Sequence, residues 1–152
     1  MRRLSGVLLA GALLMVPALS QNAYAQATPP QKTTYSGDMV LAAYAINADK
    51  VGDYEKVIAQ LKDALAKSQK PEAKQQAAGW KIIKNAMPQP DGSIVFVHVI
   101  TVVKDADYSI TNIVYDVVTD PMERTNFYNL YRGALKGALF AIQGPLVSDF
   151  SK

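Results

Sequence analysis

The sequence predicts a single α+β domain with the element order β-α-β-β-α-β, made behind a cleavable export signal. Three observations predict this. A short apolar run follows two arginines at the N-terminus, and two later segments are apolar at every position or nearly so, as buried strands are. Apolar residues recur at steps of three and four elsewhere, which is typical of helices with one buried face.

The first 25 residues have the three-part layout of a signal peptide. Arg2 and Arg3 precede an apolar run over 7–16, and small residues at both ends of 23–25 (AYA) suit signal peptidase. The run is far shorter than the ~20 residues of a membrane-spanning helix. We expect cleavage after Ala25 and export to the periplasm or the medium, with an uncleaved anchor as the alternative.

Composition limits what the exported part can do. Removing 25 of the 152 residues leaves 127, which suits one domain, and removes Arg2 and Arg3, so the net charge falls from +3 to +1. A nearly neutral domain has no electrostatic case for binding nucleic acid. The chain has no cysteine and no second long apolar run, so neither a disulfide nor membrane association after cleavage is expected. Residues 26–37 are polar and predict a flexible leader, and the domain spans 38–152.

The first strand and helix are predicted with clear boundaries. Residues 39–46 (MVLAAYAI) are apolar on both alternating faces, and the short length followed by Asn47 favours a strand over a buried helix. Over 51–67, apolar residues form one stripe from Tyr54 to Leu65. A short second helical piece, PEAKQQAA (71–78), begins at a proline, whose fixed φ suits a first helical turn, and Gly79 ends it.

A hairpin is predicted next. Residues 80–87 (WKIIKNAM) are half apolar, and the loop 88–92 (PQPDG) has strong turn chemistry. Residues 93–103 (SIVFVHVITVV) are β-branched and apolar on both faces, apart from His98 and Thr101. The two runs therefore predict strands 2 and 3.

The last third of the domain predicts two helices and a short strand. A stripe over 110–118 predicts a helix that Ser109 or Asp107 caps. The sequence DPME (120–123) starts another helix, and the apolar stripe that follows extends it over 122–139. Gly144 and the proline after it break the chain, and 146–150 (LVSDF) predicts a short last strand.

This order is that of the ferredoxin-like fold, in which strands 1 and 3 are central in an antiparallel sheet and helices cover one face. Strands 1 and 3 are also the two that are apolar on both faces. Because a lone two-layer domain leaves one sheet face in water, the second face needs a cover. A second copy of the chain, paired sheet to sheet, supplies one. Helix 110–118 or the C-terminal tail folded over that face is the alternative.

The layout resembles the dimeric α/β-barrel superfamily over about residues 38–150. The resemblance rests on the element order and on three runs: MVLAAYAI (39–46), SIVFVHVITVV (93–103) and FYNLYRGALKGAL (127–139). It implies a homodimer. The superfamily includes small monooxygenases, haem-degrading proteins and isomerases, but no motif here matches a catalytic one, and the export signal, the PEAKQQAA piece and helix 110–118 depart from simple members.

Known catalytic and metal-binding patterns are missing from the sequence. The chain has one histidine, no cysteine, no Gly-x-Ser-x-Gly elbow and no phosphate-binding glycine loop. Acidic and hydroxyl residues over 105–116 have partial calcium-loop spacing. Ile110 stands where that loop requires glycine, and Asp116 stands where it requires glutamate, so no metal site is predicted.

His98 is the sharpest candidate for a functional residue. It alternates with apolar neighbours on strand 3, so on a face lining a cavity between two sheets it can bind haem or act as a base. The alternative is a hydrogen-bonded core or interface histidine. We expect a tentative ligand cavity formed by His98, Tyr44, Phe96 and Trp80. Trp80 with Phe127, Tyr128 and Tyr131 is considered as a second aromatic pocket, with a place in the core as the alternative and Tyr128 as the exposed member.

Three functions follow from these observations. The first is a non-enzymatic exported homodimer that binds a small apolar ligand and needs no cofactor. The second is an enzyme of the small monooxygenase or haem-handling kind, with His98 supplying the proton or iron chemistry. The third is a protein-interaction module that presents helix 122–139 or the tail.

Overall fold

The computed structural model describes residues 31–150, which form an α+β domain with a four-stranded antiparallel sheet and four helices. The predicted signal peptide (1–25) and the start of the leader lie outside the described residues. The elements in chain order are β1 (Met39–Ile46), α1 (Val51–Lys67), α2 (Ala73–Gly79), β2 (Trp80–Lys84), β3 (Ile94–Thr101), α3 (Ile110–Val117), α4 (Pro121–Ala134) and β4 (Leu135–Gly144), with a turn of 3-10 helix at Ala48–Lys50 before α1.

The strand order in the sheet is β2-β3-β1-β4. β1 pairs with β3 along its whole length, with Ala42 opposite His98 and Tyr44 opposite Phe96. β2 covers the free edge of β3 and β4 covers that of β1. The central positions of β1 and β3 are those that their two-sided apolar sequences predict.

The main core lies between the sheet and the helices. The stripe on α1 buries Tyr54, Val57 and Leu61, which join Phe96 of β3 in one cluster. Phe127 of α4 completes that cluster from the other side. Because apolar burial stabilises by about 25 cal/mol per Å², the 3.6-residue spacing of the α1 stripe is what holds this helix on the sheet.

The caps of α3 and α4 follow the sequence signals. The Ser109 hydroxyl accepts from the Asn112 N–H (3.4 Å), so of the two caps that the sequence allows, Ser109 and Asp107, the structure uses Ser109. The Asp120 carboxylate accepts from the Glu123 N–H (2.8 Å), and Pro121 follows it in the first turn.

The predicted helix 122–139 is wrong beyond Ala134. The chain passes there directly into β4, and the predicted last strand at 146–150 has no regular structure. Gly133 and Gly137 each disfavour helix by about 1 kcal/mol, and the edge of β1 offers backbone partners to all of β4. Pairing with β1 therefore outweighs the weak helical pattern of this segment.

Helices cover one face of the sheet, and the other face stays open. Four large side chains on it, Leu41, Ile83, Phe140 and Ile142, are 40, 57, 48 and 62 % exposed. We call these four residues the open face. The alternative covers are not used: α3 buries its apolar residues in the main core, and the tail residues Val147 and Phe150 are more than 90 % exposed.

The described part of the predicted flexible leader, 31–37, is bonded to the domain. Thr33 donates its N–H to the Asp107 carboxylate (2.9 Å) and accepts from the Tyr108 N–H (2.7 Å). Gly37 has a φ of +87° and lies against Gly144, whose backbone a Cβ on Gly37 would meet at 2.6 Å. These contacts do not fit a flexible leader and instead make the segment part of the fold.

Candidate functional site

Three of the four residues predicted to form a ligand cavity lie together on the helix-covered face. Tyr44 and His98 come from adjacent central strands, and their rings meet edge to face with centroids 5.2 Å apart. Trp80 at the start of β2 lies 5.7 Å from the same imidazole. Phe96 is not part of this group, because its ring packs edge to face against Tyr54 in the main core (5.0 Å).

These side chains line a cavity of about 160 Å³. The sheet forms its floor, and the other walls come from the N-terminal segment, the turn before α3, the first turn of α3 and Tyr131 of α4. The lining residues are Thr33, Tyr35, Ala42, Tyr44, Trp80, His98, Ile100, Tyr108, Ser109, Ile110, Thr111 and Tyr131. We call this space the aromatic cavity.

The strand register determines the face on which His98 lies, which the sequence leaves open. His98 is on the side that the helices cover, with Tyr44 and Ile100, and not on the side where a second sheet would pair. Residues that point to the opposite side, such as Val97 and Leu41, alternate with this set. The aromatic cavity is therefore formed within one protomer.

The hydrogen bonds of His98 define its tautomer. The Trp80 indole N–H donates to His98 Nδ1 over 3.1 Å, and an indole nitrogen has no other role. The proton of a neutral imidazole must then lie on Nε2, from which it is donated to the Tyr54 hydroxyl (2.9 Å). Both nitrogens are thus occupied by protein partners.

Burial makes the neutral form of His98 the stable one. The side chain is 1 % exposed, and loss of hydration lowers its pKa to about 4. Protonation of Nδ1 would also set two donors, the imidazolium and the indole N–H, against each other. At neutral pH the ring is an uncharged structural element with no nitrogen free for iron, which fits the hydrogen-bonded alternative and weakens the haem hypothesis.

Three tyrosines bring hydroxyl groups to the aromatic cavity. Burial raises the pKa of Tyr35, Tyr44 and Tyr131, the last to about 12, and Tyr44 raises the pKa of the other two electrostatically. Among residues 31–150, no protein group is hydrogen-bonded to any of these three hydroxyls. They are uncharged hydroxyls on residues that line the cavity and lie close enough to affect one another's pKa.

The N-terminal segment and Tyr108 form a wall that the sequence analysis did not predict. The rings of Tyr35 and Tyr108 pack with their centroids 5.3 Å apart. The Tyr108 hydroxyl accepts from the Val103 N–H (2.7 Å) and donates to the Thr101 carbonyl (3.3 Å). Tyr35 lies in a stretch whose polar composition is typical of a leader. Nothing in its local pattern signals burial, so only the fold reveals its role.

Asp107 anchors this wall and is not part of a metal site. Its carboxylate accepts from the backbone N–H groups of Thr33 and Ser109 and from the side-chain amide of Asn112, at 2.7–2.9 Å. In the described region, no group of three or more histidine or acidic side chains is placed to hold a metal ion. Asp107 serves the local turn and cap, and Asp116 pairs with Lys70 of the segment before α2.

The second predicted aromatic pocket does not form as a separate site. Phe127 is buried in the main core and stacks on Tyr131 at 6.3 Å, while Tyr128 is 46 % exposed, as its position off the stripe predicts. A larger surface groove of about 390 Å³ lies between α1, α3 and α4. It carries Asp63, which pairs with Lys67 (2.7 Å), and the polar side chains of Gln60, Glu123 and Asn126.

No protein-family model, curated protein or solved structure matches this chain. Over residues 31–150, no helix has both the length and the apolar content to cross a bilayer.

Proposed function

We propose that this protein is an exported, homodimeric binding protein that holds a small, largely apolar molecule in the aromatic cavity and does not catalyse a reaction on it. The observation that carries the proposal is a cavity walled by aromatic rings in which the one histidine has no free nitrogen. Ligand pockets likewise combine aromatic walls with polar groups that fix the orientation of the ligand. An enzyme would need a base or a nucleophile in the cavity, together with a second group that activates it.

The cavity size limits the ligand. A volume of about 160 Å³ is close to the ~150 Å³ apolar cavity that takes up benzene in another protein, and is below the ~300–1,000 Å³ of drug-sized sites. A molecule of one ring fits, and a haem does not. This supports the binding function over the haem-handling alternative.

Binding can be followed with the protein's own fluorophore. Trp80 is the single tryptophan of the chain and lines the cavity, so a bound ring changes its emission. We expect saturable quenching by toluene in the native protein. Ala42→Leu fills the cavity floor and should abolish the quenching, whereas Ala59→Leu on the exposed side of α1 should leave it unchanged.

Circular dichroism must show that both variants remain folded, because added methylenes in a packed site cost about 1–3 kcal/mol. Quenching that is linear in toluene and equal in all three proteins would mean collisional contact only, and would end the binding proposal. If Ala42→Leu does not fold, the native protein alone tests the proposal, because quenching that does not saturate with toluene would also end it.

We propose further that the domain has the ferredoxin-like topology and pairs through the open face with a second copy. The strand order with β1 and β3 in the centre supports the topology, although α2 and α3 are additions to it. The exposed fractions of the four open-face residues together equal about two whole side chains. Their burial in both copies would contribute roughly 6–12 kcal/mol.

This gain is of the same size as the ~4–15 kcal/mol that association costs, and the half-buried Met39, Val97 and Val99 on the same face add to it. We therefore expect a dimer by light scattering at roughly 100 µM, an affinity in the micromolar range. Ile142→Lys should give a monomer, and Met122→Lys, an equally exposed site on α4, should not. A native protein that is monomeric at this concentration would exclude the sheet-to-sheet dimer.

Export is supported by the N-terminal pattern of the sequence alone. In a host that processes this signal, the protein recovered outside the cytoplasm should begin at Gln26 by N-terminal sequencing. Recovery of full-length chain from the membrane fraction would instead support an uncleaved anchor.

A further inference from the structure

The polar groups of the aromatic cavity are unevenly used, and this asymmetry points to the ligand. The hydroxyls of Tyr35, Tyr44 and Tyr131 have no hydrogen-bond partner in the described part of the protein. Among the other polar groups, Trp80 donates to His98 and Ser109 accepts from the α3 backbone, and the hydroxyls of Thr33 and Thr111 also line the space. A phenolic O–H can donate as well as accept, so three residues that line one small space carry hydroxyls free to donate.

No charged side chain lines this space. His98 is held neutral by burial, and the cationic Arg132 affects the pKa of Tyr131 less than burial and Tyr44 do. An ionic ligand would therefore lose its hydration without gaining a counter-ion, which is costly. A ligand without any polar atom would leave the tyrosine hydroxyls unpaired.

We infer that the ligand is an uncharged, ring-sized molecule carrying an oxygen acceptor, such as an amide, a ketone or a lactone, and that Tyr44 and Tyr131 donate to that oxygen. This inference rests on the binding function proposed above. It adds that the cavity selects by hydrogen bonding and by charge as well as by shape.

Four probes of similar size test the inference through Trp80 fluorescence. Benzamide is neutral and has an acceptor oxygen, benzoate is its anionic isostere, benzylamine is cationic at neutral pH, and toluene has no acceptor. We expect benzamide to bind at least about 10-fold more tightly than benzoate or benzylamine, since neither ion finds a partner. Toluene should bind more weakly than benzamide by roughly 2- to 10-fold, the effect of a net hydrogen bond.

Variants assign the donors. Tyr44→Phe and Tyr131→Phe each remove one hydroxyl and keep the ring, so benzamide should bind roughly 2- to 10-fold more weakly while toluene changes by less than about 2-fold. Tyr128→Phe, at an exposed tyrosine outside the cavity, should change neither. Thermal melts of the three variants check that the cavity remains folded.

The outcomes separate this inference from the proposed function. If no probe binds, toluene included, the binding function fails and the inference fails with it. If toluene and benzamide bind equally well and the tyrosine variants leave both affinities unchanged, the protein binds ring-shaped molecules without a hydrogen bond to an acceptor oxygen, and only the inference fails. Benzoate binding as tightly as benzamide would also overturn it, because it would require a positive charge that the lining lacks.

Discussion

Acidification should destabilise this protein through one residue, His98. The folded ring is buried beside two aromatic partners and has a pKa of about 4, whereas an unfolded histidine titrates near 6.5. Between these two values the unfolded chain binds more protons than the folded one. Stability is therefore complete above pH 6.5 and is lost progressively as the pH falls towards 4.

The size of the effect follows from the difference between the two pKa values. Each pKa unit corresponds to 1.36 kcal/mol, so a shift from 6.5 to about 4 amounts to about 3 kcal/mol, of which about 2 kcal/mol is lost by pH 5. For a domain with ordinary stability of roughly 5–15 kcal/mol this is a large fraction.

The assay compares the native protein with His98→Gln by urea unfolding at pH 7, 5 and 4 and at one fixed protein concentration. His98→Gln lowers stability at every pH, but it removes the titration. Carboxylates such as Asp91, whose pKa is held low by Lys136 and Ser93, affect both proteins alike and cancel. The difference in stability between the two proteins should shrink by about 3 kcal/mol between pH 7 and 4. A constant difference across this range would show that His98 is hydrated or can accept its second proton without cost, and would refute the hydrogen-bonding scheme.

Three further outcomes are expected. Gly37→Ala should destabilise the fold by at least ~2 kcal/mol in urea unfolding, because Gly37 has a positive φ and lies against the Gly144 backbone. Gly52→Ala in α1, which has open space around it, should stabilise the fold by roughly 0.5–1 kcal/mol. Equal effects of the two substitutions would contradict the close contact between Gly37 and Gly144. Asp107→Ala should cost roughly 2–4 kcal/mol by the same assay, since three donors lose their acceptor, and a loss below 1 kcal/mol would mean that water replaces the carboxylate. Trp80→Phe removes the donor to Nδ1 and keeps most of the burial, so the pKa of His98, the single histidine, should rise but stay below 6.5 in an NMR titration, and an unchanged pKa would show that burial alone sets it.

The fold was predictable where one physical signal dominated. The strand Met39–Ile46 and the helix Val51–Lys67 begin and end where the sequence predicts, because apolar periodicity and breaker residues agree there. The central positions of β1 and β3 could be predicted because both strands are apolar on both faces. The face on which His98 lies could not be predicted, since a strand that is apolar on both faces does not indicate which face the helices cover.

The failure at β4 has a specific cause. The pairing of β4 with β1 shifts register twice, between Ala43 and Tyr44 and between Ala45 and Ile46. Each irregularity interrupts the two-residue alternation by which a strand is normally detected, and the apolar residues of β4 then fall at helix-like steps. Only the tertiary contact with the free edge of β1 distinguishes the two interpretations.

The aromatic cavity was predictable in part. Tyr44, Trp80 and His98 were identified from strand position and residue type, whereas Tyr35 and Tyr108 were not. These two residues come from irregular segments that are brought together by Asp107, and no local pattern encodes such a contact.

The contact between Gly37 and Gly144 has a consequence for protein engineering. The backbone N–H of Asp38 donates to the Gly144 carbonyl (2.9 Å), and the Asp38 carboxylate accepts from the Leu146 N–H (3.0 Å), so the entry to β1 and the exit from β4 are adjacent. A short linker can join them without spanning the molecule. A circular permutant that is joined there and opened in the exposed hairpin loop at 88–92 should therefore keep all four strands of the sheet, but it would lose the segment 31–37, which contributes Thr33 and Tyr35 to the aromatic cavity.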